Sequence, residues 1–398
     1  MKILYLTFYF EPDLCAGSFR NTPLAEELAR QLISEEGEVK VITSQPNRYS
    51  SYNKEADPFE IRDNLTIKRI NVGKHDSGFH DQILSFRSYY SGVWNEVKDE
   101  EFDLVFASSS RLFTAYLGYK IAKKKNIPLY LDIRDLFPDT MTDVLKIPLV
   151  KKPVIFYLKY LEKKVFSYAD HVNFISGGFN SHASKYNIKS FSNYSHGIDE
   201  EYIDTNSRAD AESNSYVITY AGNIGDGQGL HKIIPEAAEE LGNKYSFRII
   251  GDGGKINILR EAIKNKKLKN VLLEKPVSRE ELFRIYSKTD YFFIHLNDYD
   301  AFKKVLPSKV FELGAMAKPI IAGVSGYAKE FMEDNLENII LFNPGNAEEM
   351  VTKIRAHDYK SVTRSEFIQR FNRNKINKEM VASILSCLHK RGSLNKET

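Results

Sequence analysis

The sequence contains little cysteine, and its histidines are scattered. The two cysteines, Cys15 and Cys387, lie near opposite ends of the 398-residue chain and form no CxxC or Cys/His cluster with metal-ligand spacing. The nine histidines likewise form no group that would favour a transition-metal centre. These absences argue against a zinc site and agree with a reduced, cytoplasmic location.

Long apolar runs are also missing. No run reaches the length that a membrane-spanning helix requires. Residues 1–8 are mostly apolar, but Glu11 and Pro12 follow too soon for a signal peptide, and a small-residue cleavage site is lacking. We therefore expect a cytoplasmic protein that meets a membrane only from its surface, at the inner face of the plasma membrane.

A strong excess of one charge is absent. The formal net charge is only +3, from 56 basic and 53 acidic side chains. This balance does not suggest a nucleic-acid binder that relies on massed phosphate contacts. Neither a GxxxxGK[ST] phosphate loop nor a clean GxGxxG fingerprint occurs, which disfavours nucleotide hydrolysis and hydride transfer.

Short β-rich runs recur through both halves of the chain, separated by segments long enough for a crossover helix. They are Ile3–Leu6, Val39–Thr43, Ile67–Ile70, Leu104–Ala107, Leu129–Asp132, Val172–Ile175, Val217–Tyr220, Phe247–Ile250, Val271–Leu273, Tyr291–Ile294, Ile320–Ala322 and Ile339–Leu341. This rhythm is typical of parallel sheets built from βαβ units. It predicts an α/β protein with two doubly wound, Rossmann-like domains and with the cleft between them as the default ligand site.

A polar segment separates the two halves. Residues 204–215 contain no apolar residue larger than alanine, as is typical of a linker. We therefore predict one domain over residues 1–203 and a second over residues 216–375. The last apolar-periodic stretch, Ile376–Leu388, lies within residues 376–398 and is expected to pack back on the first domain.

The second domain contains a marked helix start after a predicted buried strand. Pro307 suits a first helical position, and the following Ser308 and Lys309 add a hydroxyl and a positive charge. Helix N-termini attract phosphates, and Glu312, one turn further on, could accept both hydroxyls of a ribose. The alternative is that these residues are merely a polar helix start.

Two glycine-rich turns follow other strands of the second domain. The first contains Gly222, Asn223, Gly225 and Gln228, and the second contains Gly251, Asp252 and Gly253. Such turns allow backbone to approach a ligand closely, although many of them only end a strand. We predict that both line a nucleotide pocket.

The first domain carries charged residues after a predicted strand. Asp132, Arg134 and Asp135, with Asp139 beyond them, crowd one strand end and could perform acid–base or acceptor-positioning work. An internally paired network that braces the loop is an equal alternative. The turn after Ile3–Leu6 adds Gly17 and Ser18 as candidate binding residues.

The segment between Lys146 and Lys164 is rich in lysine and aromatic residues. Its apolar stripe is most simply a core face, whereas Phe156, Tyr157 and Tyr160 add aromatic surface beside the lysines. Basic and aromatic helices suit anionic membrane surfaces, although a charge run is more often a solvated face. Peripheral membrane contact therefore stays open here.

The Asp298-Tyr299-Asp300 run resembles a metal-binding DxD motif, but such pairs are common in polar loops.

Taken in order, these motifs resemble those of family-4 retaining glycosyltransferases of the GT-B fold. The resemblance is closest to bacterial transferases of N-acetylfucosamine-type sugars in O-antigen and capsule assembly. It rests on Pro12 with Gly17, the Asp132–Asp139 loop, Asn173 with Ser176, Ser195-His196-Gly197-Ile198-Asp199, Tyr220-Ala221-Gly222-Asn223-Ile224-Gly225, Gly251-Asp252-Gly253 and Pro307-Ser308-Lys309-Val310-Phe311-Glu312. It extends over nearly the whole chain.

The resemblance implies a hexosyltransferase-type enzyme in which the second domain holds a UDP-sugar and the first holds a glycan or lipid-diphosphate-linked sugar acceptor. It implies retention of anomeric configuration, with no cofactor and no essential metal. Glu312 matches the second glutamate of the family's E-x7-E motif, the ribose ligand, whereas Lys304 replaces the first glutamate and becomes a candidate catalytic residue. Asn223 and Gln228 stand where an arginine and a lysine commonly hold the diphosphate, so phosphate neutralisation would fall to Lys309, Lys304 and the glycine-rich backbone.

Two other functions fit the same architecture. A UDP-sugar epimerase would need acid–base residues at the sugar carbon and no acceptor. A non-catalytic assembly partner is the second alternative, because Lys304 departs from the family's motif.

Overall fold

The computed structural model describes residues 1–47, 55–72, 79–109, 112–145, 148–203 and 215–394. The chain divides into two compact units. Unit 1 comprises Met1–Ser195 with Asn374–Thr398, and unit 2 comprises His196–Arg373. Most of the predicted linker, residues 204–215, lies outside the described residues.

Unit 1 contains an eight-stranded sheet in the order β3-β4-β2-β1-β5-β6-β7-β8. Its strands are β1 Lys2–Thr7, β2 Glu38–Ser44, β3 Phe59–Arg62, β4 Leu65–Ile70, β5 Leu104–Ser109, β6 Leu129–Ile133, β7 His171–Phe174 and β8 Phe191–Ser192. Its helices are α1 Ala16–Leu32, α2 Phe79–Val97, α3 Leu112–Lys125, α4 Phe137–Val144, α5 Pro148–Tyr168 and α6 Ser181–Lys185. Every pairing is parallel except that of β3 with β4.

The central strands of this sheet are mostly apolar, with polar residues near their ends. Ile3, Tyr5 and Leu104 are fully buried, as are their neighbours on both faces of the sheet. Parallel sheets covered by helices on both faces have such continuous apolar runs, which is why the sequence revealed these strands. The edge strands β3 and β8 were not predicted, because they are short and alternate between exposed and half-buried side chains.

The last helix, α14 Arg373–Leu394, contributes to the core of unit 1. Its residues Met380, Val381 and Ile384 are fully buried in one cluster with Ile3 and Tyr5 of β1. The helix is longer at both ends than the apolar stretch that indicated it. The core of unit 1 is therefore built from residues on both sides of unit 2 in the sequence.

Unit 2 contains a six-stranded sheet in the order β11-β10-β9-β12-β13-β14. Its strands are β9 Tyr216–Asn223, β10 Tyr245–Asp252, β11 Val271–Glu274, β12 Tyr291–His295, β13 Ile320–Gly323 and β14 Ile339–Phe342. Its helices are α7 Leu230–Leu241, α8 Ile256–Asn265, α9 Arg279–Ser287, α10 Lys309–Gly314, α11 Tyr327–Asn335, α12 Ala347–Ala356 and α13 Ser365–Arg370. All pairings within this sheet are parallel.

Residues 196–203 are part of unit 2, although the sequence placed them in the first domain. Ile198 forms a parallel bridge with Asn372, and Arg373 bonds to Asp199 and to the carbonyl of Gly197. These contacts join segments that are far apart in sequence. The change in composition at residue 204 therefore did not mark the boundary of the unit.

Within the part of the chain that the structure describes, no helix is both long and apolar enough to cross a bilayer.

Candidate functional site

The two glycine-rich turns of unit 2 lie side by side at the carboxyl edge of its sheet. Strands β9 and β10 end in register, with Gly222 opposite Gly251 and Asn223 opposite Asp252. Gly251 has a φ of +151°, and a Cβ there would overlap the carbonyl oxygen of Gly222. The backbones can lie this close only because position 251 is glycine. The predicted turns thus form one surface, at the place where open α/β sheets bind ligands.

Hydrogen bonds within the first turn hold its shape. Asn223 donates from Nδ2 to Oε1 of Gln228 over 2.8 Å, and the Tyr220 hydroxyl donates to the carbonyl of Asn223 over 2.6 Å. Asn223 and Gln228, the residues at the diphosphate-binding positions of the resemblance, therefore contact each other. Both are neutral amides, so they add no charge to this surface.

The segment after β12 contacts the other side of this turn. Asn297 donates from its backbone N–H to the carbonyl of Gly227 over 2.8 Å, and its side chain donates to the carbonyl of Asp226. The Tyr299 hydroxyl donates to Oδ2 of Asp226 over 2.6 Å. Asn297 was not predicted, and the available signal in the sequence was an asparagine two residues after an apolar strand.

His295 is a second residue that the sequence analysis missed. It ends β12, is 1% exposed, and its Nδ1 lies 2.6 Å from the carbonyl oxygen of Gln228. The backbone N–H of Gly345 donates to its Nε2 over 2.9 Å. Burial lowers the pKa of His295 to about 4. The ring is therefore neutral near pH 7, with its proton on Nδ1, and it ties the glycine-rich turn to the loop after β14.

The helix predicted to start at Pro307 is short and begins two residues later than expected. Helix α10 begins at Lys309 and has six residues. Ser308 is its N-cap and makes no side-chain capping bond. Such a short helix adds little to phosphate binding, so a role for this segment would depend on the Ser308 and Lys309 side chains and on Glu312.

Glu312 forms a buried cluster with two other polar groups. Its side chain is 6% exposed, its Oε2 accepts from Nζ of Lys309 over 2.5 Å, and the Tyr202 hydroxyl donates to the same oxygen over 3.1 Å. Burial alone would lower the pKa of Lys309, but the adjacent Glu312 carboxylate raises that pKa well above its ordinary value. Lys309 is therefore a permanent cation whose ammonium bonds to Glu312. Tyr202 was not predicted, because the segment 196–203 had been assigned to the other domain.

Lys304 ends a 3-10 turn, Phe302–Lys304, three residues before Pro307. The neighbouring Lys303 contacts the acidic pair of the DxD-like run. Its Nζ lies 2.9 Å from Asp300 and 3.6 Å from Asp298, and both carboxylates are largely exposed. Across the described ranges, no three His, Cys, Asp or Glu side chains gather as a metal site would require. The expectation of a metal-independent protein stays a prediction.

In unit 1, Asp132 is fully buried at the end of β6 and is surrounded by donors. Arg20 binds it in a bidentate manner, from Nε over 2.9 Å and from Nη2 over 2.8 Å. Ser108 donates over 2.9 Å and Asn173 over 2.8 Å. A carboxylate without solvent exposure and with four protein donors has no free face for a substrate. Asp132 therefore fits the bracing network that the sequence left as the equal alternative to acid–base work, with Arg20 rather than Arg134 as its partner.

Asp135 and Arg134 have different surroundings from Asp132. Asp135 accepts from the Thr140 hydroxyl over 2.9 Å, and burial raises its pKa to about 6. The Arg134 guanidinium lies against Gly17, because a Cβ on Gly17 would be 2.5 Å from Nη1. Among the described residues, no side-chain hydrogen bond joins Asp132, Arg134 and Asp135, although their charges lie close enough to interact. Ser18, also predicted to bind the donor, is 2% exposed.

Unit 1 contains a further buried acid that the sequence did not indicate. Glu162 of α5 is 2% exposed, and its Oε2 accepts from the Tyr186 hydroxyl over 2.8 Å. Burial raises the pKa of Glu162 to about 7, although the Tyr186 hydrogen bond opposes this shift.

Comparison with known proteins addresses the identity of the carboxyl-edge site. Residues 203–370 match the family described as "Glycosyl transferases group 1". This segment is therefore similar to group 1 glycosyl transferase domains. It contains Glu312, Lys309 and both glycine-rich turns. No curated protein matches the chain.

Solved structures match nearly the whole chain. Sucrose-phosphate synthase from Thermosynechococcus elongatus has a TM-score of 0.66 at 12% identity. The match covers 100% of this chain and 98% of the synthase chain. HepE from Anabaena, in complex with UDP and glucose, has a TM-score of 0.67 at 15% identity. This match covers 97% of this chain and 100% of the HepE chain. Alpha,alpha-trehalose 6-phosphate synthase from Burkholderia multivorans has a TM-score of 0.68 at 9% identity. This match covers 99% of this chain and 98% of the synthase chain. The predicted α/β fold with two parallel-sheet domains of the GT-B type is confirmed.

Proposed function

We propose that the protein is a retaining glycosyltransferase. It moves a sugar, of the N-acetylated amino or deoxy kind, from a UDP-sugar to a glycan or a lipid-diphosphate-linked acceptor in the synthesis of bacterial surface polysaccharide. The observation that carries this proposal is the group 1 domain over residues 203–370, with the buried Glu312 cluster inside it. The sequence resemblance supports the finer parts of the proposal, namely retention, the sugar class and the acceptor.

Unit 2 offers a coherent way to hold the nucleotide. The paired turns at Gly222 and Gly251 allow backbone to approach a diphosphate closely. In our proposal Glu312 accepts the ribose hydroxyls, while Lys309 keeps this carboxylate charged and oriented. Lys309 has two ammonium hydrogens besides the one directed at Glu312, and in our proposal one of them binds a phosphate oxygen.

The reaction needs little covalent participation by the protein. The bond between the anomeric carbon and the diphosphate oxygen breaks, and a bond to the acceptor hydroxyl oxygen forms on the same face. The hydroxyl proton passes to an oxygen of the departing diphosphate. Stabilisation of the departing diphosphate by fixed positive groups accelerates such a step, and we assign this task to Lys309, Lys304 and the turn backbone.

Thermal-shift screening of nucleotide sugars, followed by product analysis with a lipid-diphosphate-linked sugar, tests the proposal. We expect UDP-sugars to raise the melting temperature through binding to the folded state, and one of them to give a product of retained configuration. A UDP-sugar isomerised without acceptor would instead indicate an epimerase. Donor-dependent stabilisation without turnover on any acceptor would indicate a non-catalytic partner.

Helix α5 of unit 1 supports a second part of the proposal, a peripheral contact with an anionic membrane. Phe156, Tyr157 and Tyr160 are 78%, 56% and 54% exposed. Exposed lysines accompany them at positions 152, 159, 163 and 164, whereas Lys146 lies outside the described residues. Aromatic rings beside lysines suit the interface of an anionic bilayer. Flotation with liposomes should depend both on anionic lipid and on these lysines, and binding that depends on neither would refute the contact.

A further inference from the structure

The two carboxylate oxygens of Glu312 have different surroundings. Both hydrogen bonds to its side chain fall on Oε2, which accepts from Lys309 and from the Tyr202 hydroxyl. Within the described residues, Oε1 accepts no hydrogen bond. Two donors on one oxygen fix the rotation of the whole carboxylate. The direction in which Oε1 points is therefore set by the groups that hold Oε2.

The Tyr202 ring is held by the first turns of α9. Ser278 caps this helix by accepting from the backbone N–H of Glu281 over 3.3 Å. Arg279 and Phe283 are four residues apart on α9 and so share a helix face. The Arg279 guanidinium carbon lies 5.3 Å from the centre of the Tyr202 ring, and the Phe283 ring centre lies 4.7 Å from it. Cation–π and aromatic contacts of this kind restrict where the ring can lie.

The Arg279 guanidinium is fixed in turn by carboxylates of the segment before the linker. Its Nη2 donates to Oδ2 of Asp199, while Arg373 binds Oδ1 of the same carboxylate. Glu201 adds a second acid, with its Oε2 3.1 Å from Nε of Arg279. The planar guanidinium fork bonds in a defined direction, so these acids orient it as well as neutralise it. A continuous set of contacts thus runs from Asp199 to the Glu312 carboxylate.

We propose that Arg279 and Tyr202 are positioning residues for ribose recognition, because they hold Oε2 of Glu312 in the orientation that presents Oε1 to the nucleotide. The inference rests on the proposed function, in which Glu312 accepts the ribose hydroxyls, and it adds two residues that control this specificity without touching the ligand. The Tyr202 hydroxyl is already bonded to Glu312, and the Arg279 guanidinium is already bonded to Asp199. A carboxylate held in one orientation loses little conformational freedom when it binds.

Calorimetric titration of the full chain with UDP and with 2′-deoxy-UDP tests this role. The wild type should bind UDP on the order of tenfold more tightly, because the analogue lacks a hydrogen bond to a charged group. We expect Tyr202→Phe and Arg279→Met each to reduce this affinity ratio about threefold or more, as loss of one hydrogen bond or cation–π contact does. A purely structural role would weaken both nucleotides alike. A ratio that stays at the wild-type value in either variant would overturn the proposal.

Matched variants separate positioning from a general loss of charge or packing. Arg279→Lys should give an intermediate ratio, because it keeps a charge beside Asp199 but loses the planar group. Arg284→Met removes an exposed arginine of the same helix and should keep the wild-type ratio. Tyr245→Phe changes a buried tyrosine at the start of β10, the opposite end of that strand from Gly251, and should also keep it. A fall in the ratio as large in these two controls as in Arg279→Met would contradict a specific role for Arg279.

A double-mutant cycle tests the contact between Tyr202 and Glu312 without any ligand. Contacting residues give non-additive effects, so the denaturation midpoint of the Tyr202→Phe, Glu312→Gln double variant should shift by less than the sum of the single shifts. Additive shifts would overturn the proposal whatever the nucleotide results. A wild type that binds neither nucleotide would instead remove the proposed function. A wild type that discriminates as strongly as Arg279→Met does would remove only the positioning role.

Discussion

Glu312 is the residue on which the nucleotide proposal depends most. Its carboxylate is held by Lys309 and Tyr202, so its position is set before any ligand arrives. A preorganised acceptor loses little conformational freedom when it binds ribose hydroxyls. The same burial means that any change at position 312 must preserve the shape of the side chain.

We expect Glu312→Gln to weaken UDP binding by about ten- to a hundredfold, since hydrogen bonds to a charged group contribute roughly 1.5–3 kcal/mol. Titration calorimetry with UDP and with its 2′-deoxy analogue measures this effect. The wild type should bind UDP more tightly than the 2′-deoxy analogue. This difference in affinity should disappear in Glu312→Gln if the carboxylate accepts hydrogen bonds from the ribose hydroxyls. The matched control is Glu348→Gln, an exposed change on α12. A preference that survives in Glu312→Gln would remove Glu312 as the ribose ligand.

Glu162 should make the stability of the protein depend on pH. Its pKa is about 7 in the folded protein and roughly 4.3 in an unfolded chain, so the folded state keeps the proton longer. Wild-type stability should therefore fall as the pH rises from about 4 through about 7. Glu162→Gln, which cannot ionise, should escape this loss and gain roughly 3 kcal/mol relative to wild type between about pH 4 and pH 8.

Chemical denaturation at several pH values measures the Glu162 effect. The exposed Glu35→Gln variant is the control and should parallel the wild type. If Glu162→Gln and wild type differ by the same amount at every pH, Glu162 does not titrate in this range.

Among the structural elements, the carboxyl ends of β9 and β10 pack so closely that position 251 has no room for a side chain. A methyl group at position 251 would overlap the carbonyl of Gly222, and the backbone there has a positive φ. We expect Gly251→Ala to destabilise the protein by about 1–3 kcal/mol, as residues in strained backbone conformations do, and to weaken UDP binding.

Gly254→Ala is the matched control for Gly251→Ala, because a Cβ there meets no atom within 4 Å. Thermal unfolding and UDP titration compare the two variants. Equal behaviour of both would show that close approach of these turns is not required.

The sequence predicted the elements unevenly, for physical reasons. Buried parallel strands such as β1 and β12 are continuous apolar runs and were found. Helix α10 was placed at Pro307 because proline favours a first helical position, yet the chain becomes helical only at Lys309. The preference of single residues for helical positions does not reveal the conformation of the preceding loop, which determines where the helix begins.

Side-chain partners could be predicted less well than strands. Arg20 and Asp132 are 112 residues apart, and nothing local indicates that they pair. The Lys309–Glu312 pair was within reach of the sequence, since residues three apart share a helix face. Tyr202 completes that cluster from a segment assigned to the wrong domain. The binding role of these residues stays a prediction, and their hydrogen-bond network could not be predicted from the sequence.

At the scale of the whole molecule, helix α14 closes the core of unit 1. Ile384 is fully buried there with Ile3 and Tyr5. We expect Ile384→Ala to destabilise the protein by about 2–5 kcal/mol, as other large-to-small core changes do. The control is Glu379→Ala, an exposed change on the same helix. Thermal unfolding compares the two variants, and similar melting temperatures would show that α14 does not stabilise unit 1.

The return of the chain to unit 1 through α14 sets an order of events during synthesis. A ribosome synthesises residues 196–373 in full before it reaches the buried positions Met380, Val381 and Ile384. The second unit can therefore acquire its tertiary structure while the first still exposes part of its apolar interior. Protection of nascent unit 1 by chaperones should last until the last helix has emerged, and it should be needed longer than protection of the unit that the chain encodes later.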